Sequence, residues 1–132
     1  MIVLDASAVV ELLLGTAAGR RVAERIEDPA DALHVPHLLD VEVAQALRRY
    51  VQFGEIGAAE ASAALGDLRA LDLSRHAHEP LLDRVWALRE NISAYDAVYV
   101  ALAEALAAPL LTCDRRLARA PGVSRVAELI AG

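Results

Sequence analysis

The sequence predicts an α/β protein with a short, mostly parallel central sheet and helices on both faces. Three observations lead there. Apolar runs of three or four residues alternate with longer stretches of helical pattern, as in a parallel sheet wrapped by helices. Composition agrees: 28 Ala and 21 Leu against 4% aromatic residues favour packed helices over an all-β sandwich. Turn residues are scattered singly, with no repeat, linker or low-complexity tract, so the 132 residues read as one domain, 1–132.

The elements follow in order. Ile2-Val3-Leu4 is a buried strand. Ala6 to Leu14 is a helix ended by Gly15, and Ala17 to Glu27 is a second, closed by Asp28-Pro29. Leu33-His34-Val35 is a strand ended by Pro36. His37 to Phe53 is a long helix with Gly54 at its C-terminus, and Leu39, Val43, Ala46, Leu47 and Tyr50 mark its buried stripe. Ala58 to Leu71 is helical, and Leu71-Asp72-Leu73 reads as a short strand. His78 to Glu90 reads as a helix with Trp86 on its apolar face. Ser93 starts a helix to about Ala107. Pro109 to Thr112 is a strand, Arg115 to Arg119 a short helix, and Val123 to Val126 a last edge strand.

Composition also excludes chemistry. All 13 positive residues are Arg, so a phosphate-binding loop with its Lys, a Schiff-base site and a phosphoaspartate site with its usual Lys are absent in their ordinary forms. One Cys, Cys113, allows no internal disulfide and no Cys-rich zinc site, and it reads as a small buried hydrophobe. His34-Val35-Pro36-His37 and His76-Ala77-His78 lack a Cys or third His to complete a zinc site. The start has no basic stretch before an apolar run, and Ala6 to Leu14 is far below the roughly 20 apolar residues of a membrane span. A soluble, cytoplasmic protein is expected.

In parallel sheets the binding crevice lies beyond the carboxyl ends of the strands. Four acids are candidates for that edge. Asp5 follows the first strand, Asp114 follows Leu110-Leu111-Thr112, Asp96 lies in the first turn after Ser93, and Glu42 in the early turns after the second strand. Each has a plainer reading. Asp5 and Asp114 suit helix N-caps, Ser93 to Asp96 resembles a capping box, and Glu42 neighbours a buried stripe. Together, four carboxylates without Lys repel one another. A hard divalent cation with oxygen ligands resolves that conflict, and two such ions can clamp a phosphodiester.

Specific segments then carry a resemblance. Ile2-Val3-Leu4-Asp5-Ala6-Ser7 opens the chain, and Val41-Glu42-Val43-Ala44-Gln45-Ala46-Leu47-Arg48-Arg49 lies in the middle. Ser93-Ala94-Tyr95-Asp96-Ala97-Val98-Tyr99-Val100-Ala101-Leu102-Ala103 is followed by Pro109-Leu110-Leu111-Thr112-Cys113-Asp114-Arg115-Arg116-Leu117. In this order and spacing the chain resembles the PIN-domain ribonucleases, and within them the VapC-type toxins of toxin–antitoxin pairs.

The resemblance implies a PIN-like three-layer sandwich. It implies a metal-dependent endoribonuclease, with Asp5, Glu42, Asp96 and Asp114 as catalytic residues and ligands of one or two Mg²⁺ or Mn²⁺ ions. Ser7 and Thr112 match the hydroxyls that order that site. Products would carry a 5′-phosphate and a 3′-hydroxyl, and the cellular effect would be arrest of translation and growth. It further implies a DNA-binding, VapB-like antitoxin and a toxin homodimer. Gln45 departs from the pattern, since the family often has Asn there, and it is left out of the site. No further acid follows Asp114 closely, which favours one ion over two.

The net charge of −6 opposes RNA binding, yet setting the four candidate ligands aside leaves −2. Arg115, Arg116 and Arg119 follow Asp114 and are the first candidates for RNA phosphates. Arg20, Arg21 and Arg25 read as a solvated face with partners such as Glu24 and Glu128. Tyr50, Tyr95, Tyr99 and Trp86 read as packing residues, with base stacking the alternative for Tyr95 and Tyr99. Two other functions are weighed. One is a non-catalytic PIN-fold module that binds RNA or antitoxin. The other is a phosphohydrolase of small esters, disfavoured by the missing Lys and glycine-rich loop.

Overall fold

The structure is a computed structural model describing residues 1–132. Its centre is a five-stranded sheet of order β3-β2-β1-β4-β5, every pairing parallel. The strands are β1 (Ile2–Leu4), β2 (Leu33–Pro36), β3 (Leu73–His76), β4 (Leu110–Thr112) and β5 (Ala127–Leu129). The central pair, β1 and β4, is fully buried, as apolar strands covered on both faces must be.

Seven α-helices join them: α1 (Ala6–Leu14), α2 (Ala17–Arg25), α3 (Leu38–Gln52), α4 (Ala58–Ala70), α5 (Leu82–Ala87), α6 (Ala94–Leu106) and α7 (Arg115–Arg119). Helices α1 to α4 pack on one another, and α5 packs on α6, with α6 against β1, β2 and β4. The result is a helix–sheet–helix sandwich. Residues Ala97 to Ala103 of α6 are all buried, so these two turns are covered around their whole circumference.

Caps place the helix ends. Asp5, Thr16, Ser93 and Asp114 each accept a backbone N–H of the helix they precede. Gly15 ends α1 with φ +65°. Gly19 marks the closest approach of α1 and α2, where any Cβ would overlap the Glu11 carbonyl.

Four expectations need correction. β3 lies two residues later than Leu71-Asp72-Leu73, because its pairing with β2 runs through the polar Ser74, Arg75 and His76. Residues 123–126 turn, and the last strand is Ala127–Leu129 against β4. The helix expected over His78 to Glu90 is a 3-10 turn, Glu79–Leu81, followed by the six-residue α5, with Pro80 starting the turn. Trp86 is not core: it is 68% exposed, because Leu81, Val85 and Leu88 take the buried face.

Candidate active site

The strand order puts a reversal between β1 and β4. From β1 the chain builds β2 and β3 on one side, then returns to build β4 and β5 on the other. At such a switch point the two departing connections diverge and leave a crevice beyond the strand ends. Asp5 follows β1 and Thr112 ends β4, so both stand at that crevice.

Asp5 is 5% exposed and held from three directions. The Ser7 hydroxyl donates to Oδ1 at 2.7 Å, the Ala8 N–H to Oδ1 at 2.9 Å, and the Thr112 hydroxyl to Oδ2 at 2.5 Å. The two hydroxyls are themselves fixed. Ser7 Oγ accepts from the Cys113 N–H at 2.9 Å, and Thr112 Oγ1 from the Asp114 N–H at 3.0 Å. Each hydroxyl has one proton, already on Asp5, so their own 3.3 Å separation is a contact and not a bond. Burial still dominates: it pushes the Asp5 carboxyl up to about 6, against the lowering effect of its donors.

The other acids gather around it. Glu42, half-buried on α3, accepts the Tyr99 hydroxyl at 2.6 Å. Asp96 lies in the first turn of α6, its N–H bonded to Ser93 Oγ at 3.1 Å. Burial raises the carboxyls of Glu42 and Asp96, and the Asp96 charge adds to the rise at both Glu42 and Asp5. The Asp114 charge adds to the rise at Asp96. Asp114 caps α7, with Oδ1 accepting from the Arg116 N–H at 2.9 Å. Asp96 and Asp114 line one cleft together with Arg116. Arg115 and Arg119 share α7 but do not line it.

The donor chemistry suits a hard divalent cation. All four groups offer oxygen, and three pay a burial and charge cost in their ionised form that a cation would relieve. The geometry is not that of a closed ligand set: no three His, Cys, Asp or Glu side chains converge as an ion requires. The carboxylates turn instead to protein donors, Asp5 to Ser7 and Thr112, Glu42 to Tyr99, Asp114 to its own helix.

Sequence reasoning missed the hydroxyl of Tyr99, read there as packing or base stacking. Its signal was a lone polar atom in the apolar run of α6. Tyr95 lies 63% exposed beside Asp96 rather than packed, and Tyr50 is half-buried. Cys113 is half-buried, and burial pushes its thiol up to about 11. The four imidazoles lie at the β2 and β3 edge, where His34 Nδ1 meets His76 Nε2 at 2.9 Å and His78 Nε2 accepts the Leu38 N–H at 3.0 Å. Arg25 pairs with Glu128 at 2.7 Å, as its solvated face suggested. No helix is long and apolar enough to cross a membrane.

Known proteins resemble this chain in sequence and in fold. The PIN domain family model matches residues 2–123. Ribonuclease VapC9 of Mycobacterium tuberculosis is 47% identical over 89% of this chain and 88% of its own length. Ribonuclease VapC1 of the same organism is 46% identical over 97% of this chain and 96% of its own. The fold recurs in the crystal structure of VapBC2 from Rickettsia felis bound to a DNA fragment from their promoter. The TM-score is 0.69 at 15% identity, covering 98% of each chain.

Proposed function

This chain belongs to the PIN-domain family, and from that membership we propose that it is a ribonuclease toxin of the VapC kind, paired in the cytoplasm with an antitoxin. Relatives named as ribonucleases, nearly half identical over most of the chain, support the ribonuclease reading. The observation that carries the site is the buried Asp5 at the β1/β4 switch point, with Asp96 near enough for its charge to reach both Asp5 and Glu42.

Asp5, Glu42, Asp96 and Asp114 would hold one or two Mg²⁺ or Mn²⁺ ions. When bound, such an ion supplies Lewis-acid polarisation of the phosphate and lowers the pKa of water. Ser7 and Thr112 keep Asp5 aimed, and Tyr99 keeps Glu42 aimed. Attack by water leaves a 5′-phosphate and a 3′-hydroxyl and does not use the 2′-hydroxyl, so preference for RNA must come from shape and contacts. Arrest of translation and growth would follow from the cut. The VapBC2 structure supports an antitoxin as partner. Exposed Leu82, Trp86 and Tyr95 offer apolar surface for a second copy of the chain.

One observation favours a second reading, a PIN-fold module that binds RNA or antitoxin without turnover. Asp5, Glu42 and Asp114 are bonded to protein donors, and no three acids converge as an ion requires. The experiment is cleavage of a mixed RNA pool by antitoxin-free protein with Mg²⁺ or Mn²⁺, with chelator and Asp96→Asn as controls, mapping the product ends. Cutting that leaves 5′-phosphates and is lost in both controls supports the nuclease. Folded protein that binds RNA but never cuts it supports the module.

A further inference from the structure

The cleft holding Asp96 and Asp114 has a second wall of opposite character. It encloses about 220 Å³, and beside the two acids it is lined by Arg116 and Asn91, with apolar Ile92, Leu117 and Ala120 completing it. A cleft built for cations alone has no use for Arg116, which repels them. A cleft that takes a cation and an anion together needs both signs.

Arg116 is also free to act. Three arginines of the chain are committed to two-pronged carboxylate pairs: Arg25 with Glu128, Arg75 with Asp40 and Arg84 with Glu104. Arg116 makes no ion pair within 4.0 Å, although its charge reaches Asp96 and opposes the rise of that carboxyl. Its backbone is pinned, because its N–H bonds to Asp114 Oδ1 at 2.9 Å. So the guanidinium springs from a fixed point at the acid edge and keeps its fork of donors for an incoming group. A planar fork matches phosphate oxygens two at a time.

We propose that Arg116 binds the non-bridging oxygens of an RNA phosphate at this cleft, with Asn91 as the neighbouring polar contact to the same nucleotide. The inference rests on the nuclease reading for its ligand, and it selects one arginine of the three on α7. Arg116 sits where the phosphate must come to meet the acids, whereas Arg115 and Arg119 are outside the cleft.

The test has a binding arm and a kinetic arm. In the binding arm every protein carries Asp96→Asn, and the probe is a labelled single-stranded RNA pool over a salt series. Arg116→Gln should weaken binding about tenfold and flatten the slope of log affinity against log salt by about 0.7, the loss of one phosphate contact on a single strand. Arg116→Lys should keep the slope and recover part of the affinity. Arg49→Gln, in the last turn of α3, should change neither. In the kinetic arm, with Asp96 intact, Arg116→Gln should lower kcat/KM at least tenfold, and Arg116→Lys less. Equal slopes and rates for Arg116→Gln and Arg49→Gln overturn the proposal, and so does tighter binding by Arg116→Gln. If the unsubstituted chain binds RNA and never cuts it, the nuclease reading fails while the salt slope still decides Arg116.

Discussion

Tyr99 donates its phenolic proton to Glu42 across 2.6 Å, and this one bond ties α6 to α3 at the acid edge. Burial and the Glu42 charge raise the phenol far out of its ordinary range, so the direction of donation is fixed. Tyr99→Phe keeps the buried ring and removes only the donor. It should cost about 1.5–3 kcal/mol, the worth of a hydrogen bond to a charged group. Urea unfolding should show a lower midpoint at unchanged slope. An unmoved midpoint would mean that Glu42 has another partner to turn to.

Thr112→Val and Thr112→Ser separate the hydroxyl from the shape. Thr112 is fully buried, donates to Asp5 and accepts from the Asp114 N–H. Valine strands both groups and should cost about 2–4 kcal/mol. Serine keeps both bonds and loses one methyl, at about 1 kcal/mol. Equal losses for the two variants in urea unfolding would assign the effect to packing.

Asp5 makes stability depend on pH in an unusual direction. Its folded carboxyl, at about 6, lies above the ordinary value of 3.8. The native state therefore binds this proton more tightly than the unfolded chain does. In chelator, the Asp5 contribution should be fully present below about pH 4 and be lost as pH rises through about 6, on the order of 3 kcal/mol in all by pH 7. Glu42 and Asp96 shift the same way and steepen the fall. Mg²⁺ should stabilise the protein more at pH 7 than at pH 4, because the carboxylates are then charged. A chelated protein that gains stability over this range would contradict the burial of a charged Asp5.

Gly19→Ala should be among the most damaging single-methyl changes in the chain. The added Cβ would overlap the Glu11 carbonyl where α2 crosses α1. Backbone cannot yield as a flexible side chain does, so a loss of about 3 kcal/mol is expected, the upper end for overpacking. Gly66→Ala is the control: its Cβ meets nothing within 4 Å, and alanine favours the helix by up to about 1 kcal/mol. Thermal melts of the two variants should move in opposite directions.

Legibility followed burial. β1 and β4 were readable because their apolar residues are continuous, and β2 and α1 because a Pro, a cap or a Gly marks their ends. Asp5, Ser93 and Asp114 were readable as caps for the same reason, and all three are caps. The edge strands were not: β3 reads Leu-Ser-Arg-His and is half-exposed, so no apolar run announced it. Trp86 was misread by size, since Leu81, Val85 and Leu88, spaced at four and three, already fill the inner face. The placement of Asp5 and Asp114 beyond β1 and β4 was legible from the strands that precede them. The hydrogen-bond partner of Glu42 was not, because Tyr99 meets Glu42 only when α6 is laid beside α3.

The bond from Thr112 to Asp5 joins residues 107 positions apart. Closing so long a loop is a late event in folding, since distant pairing must wait for chain entropy to be overcome. A polypeptide still emerging from the ribosome can hold Asp5, Glu42 and Asp96 and yet have no β4, no Asp114 and nothing to aim Asp5. On the nuclease reading, activity is expected only with the completed sheet, and fragments that stop short of β4 are expected to cut nothing.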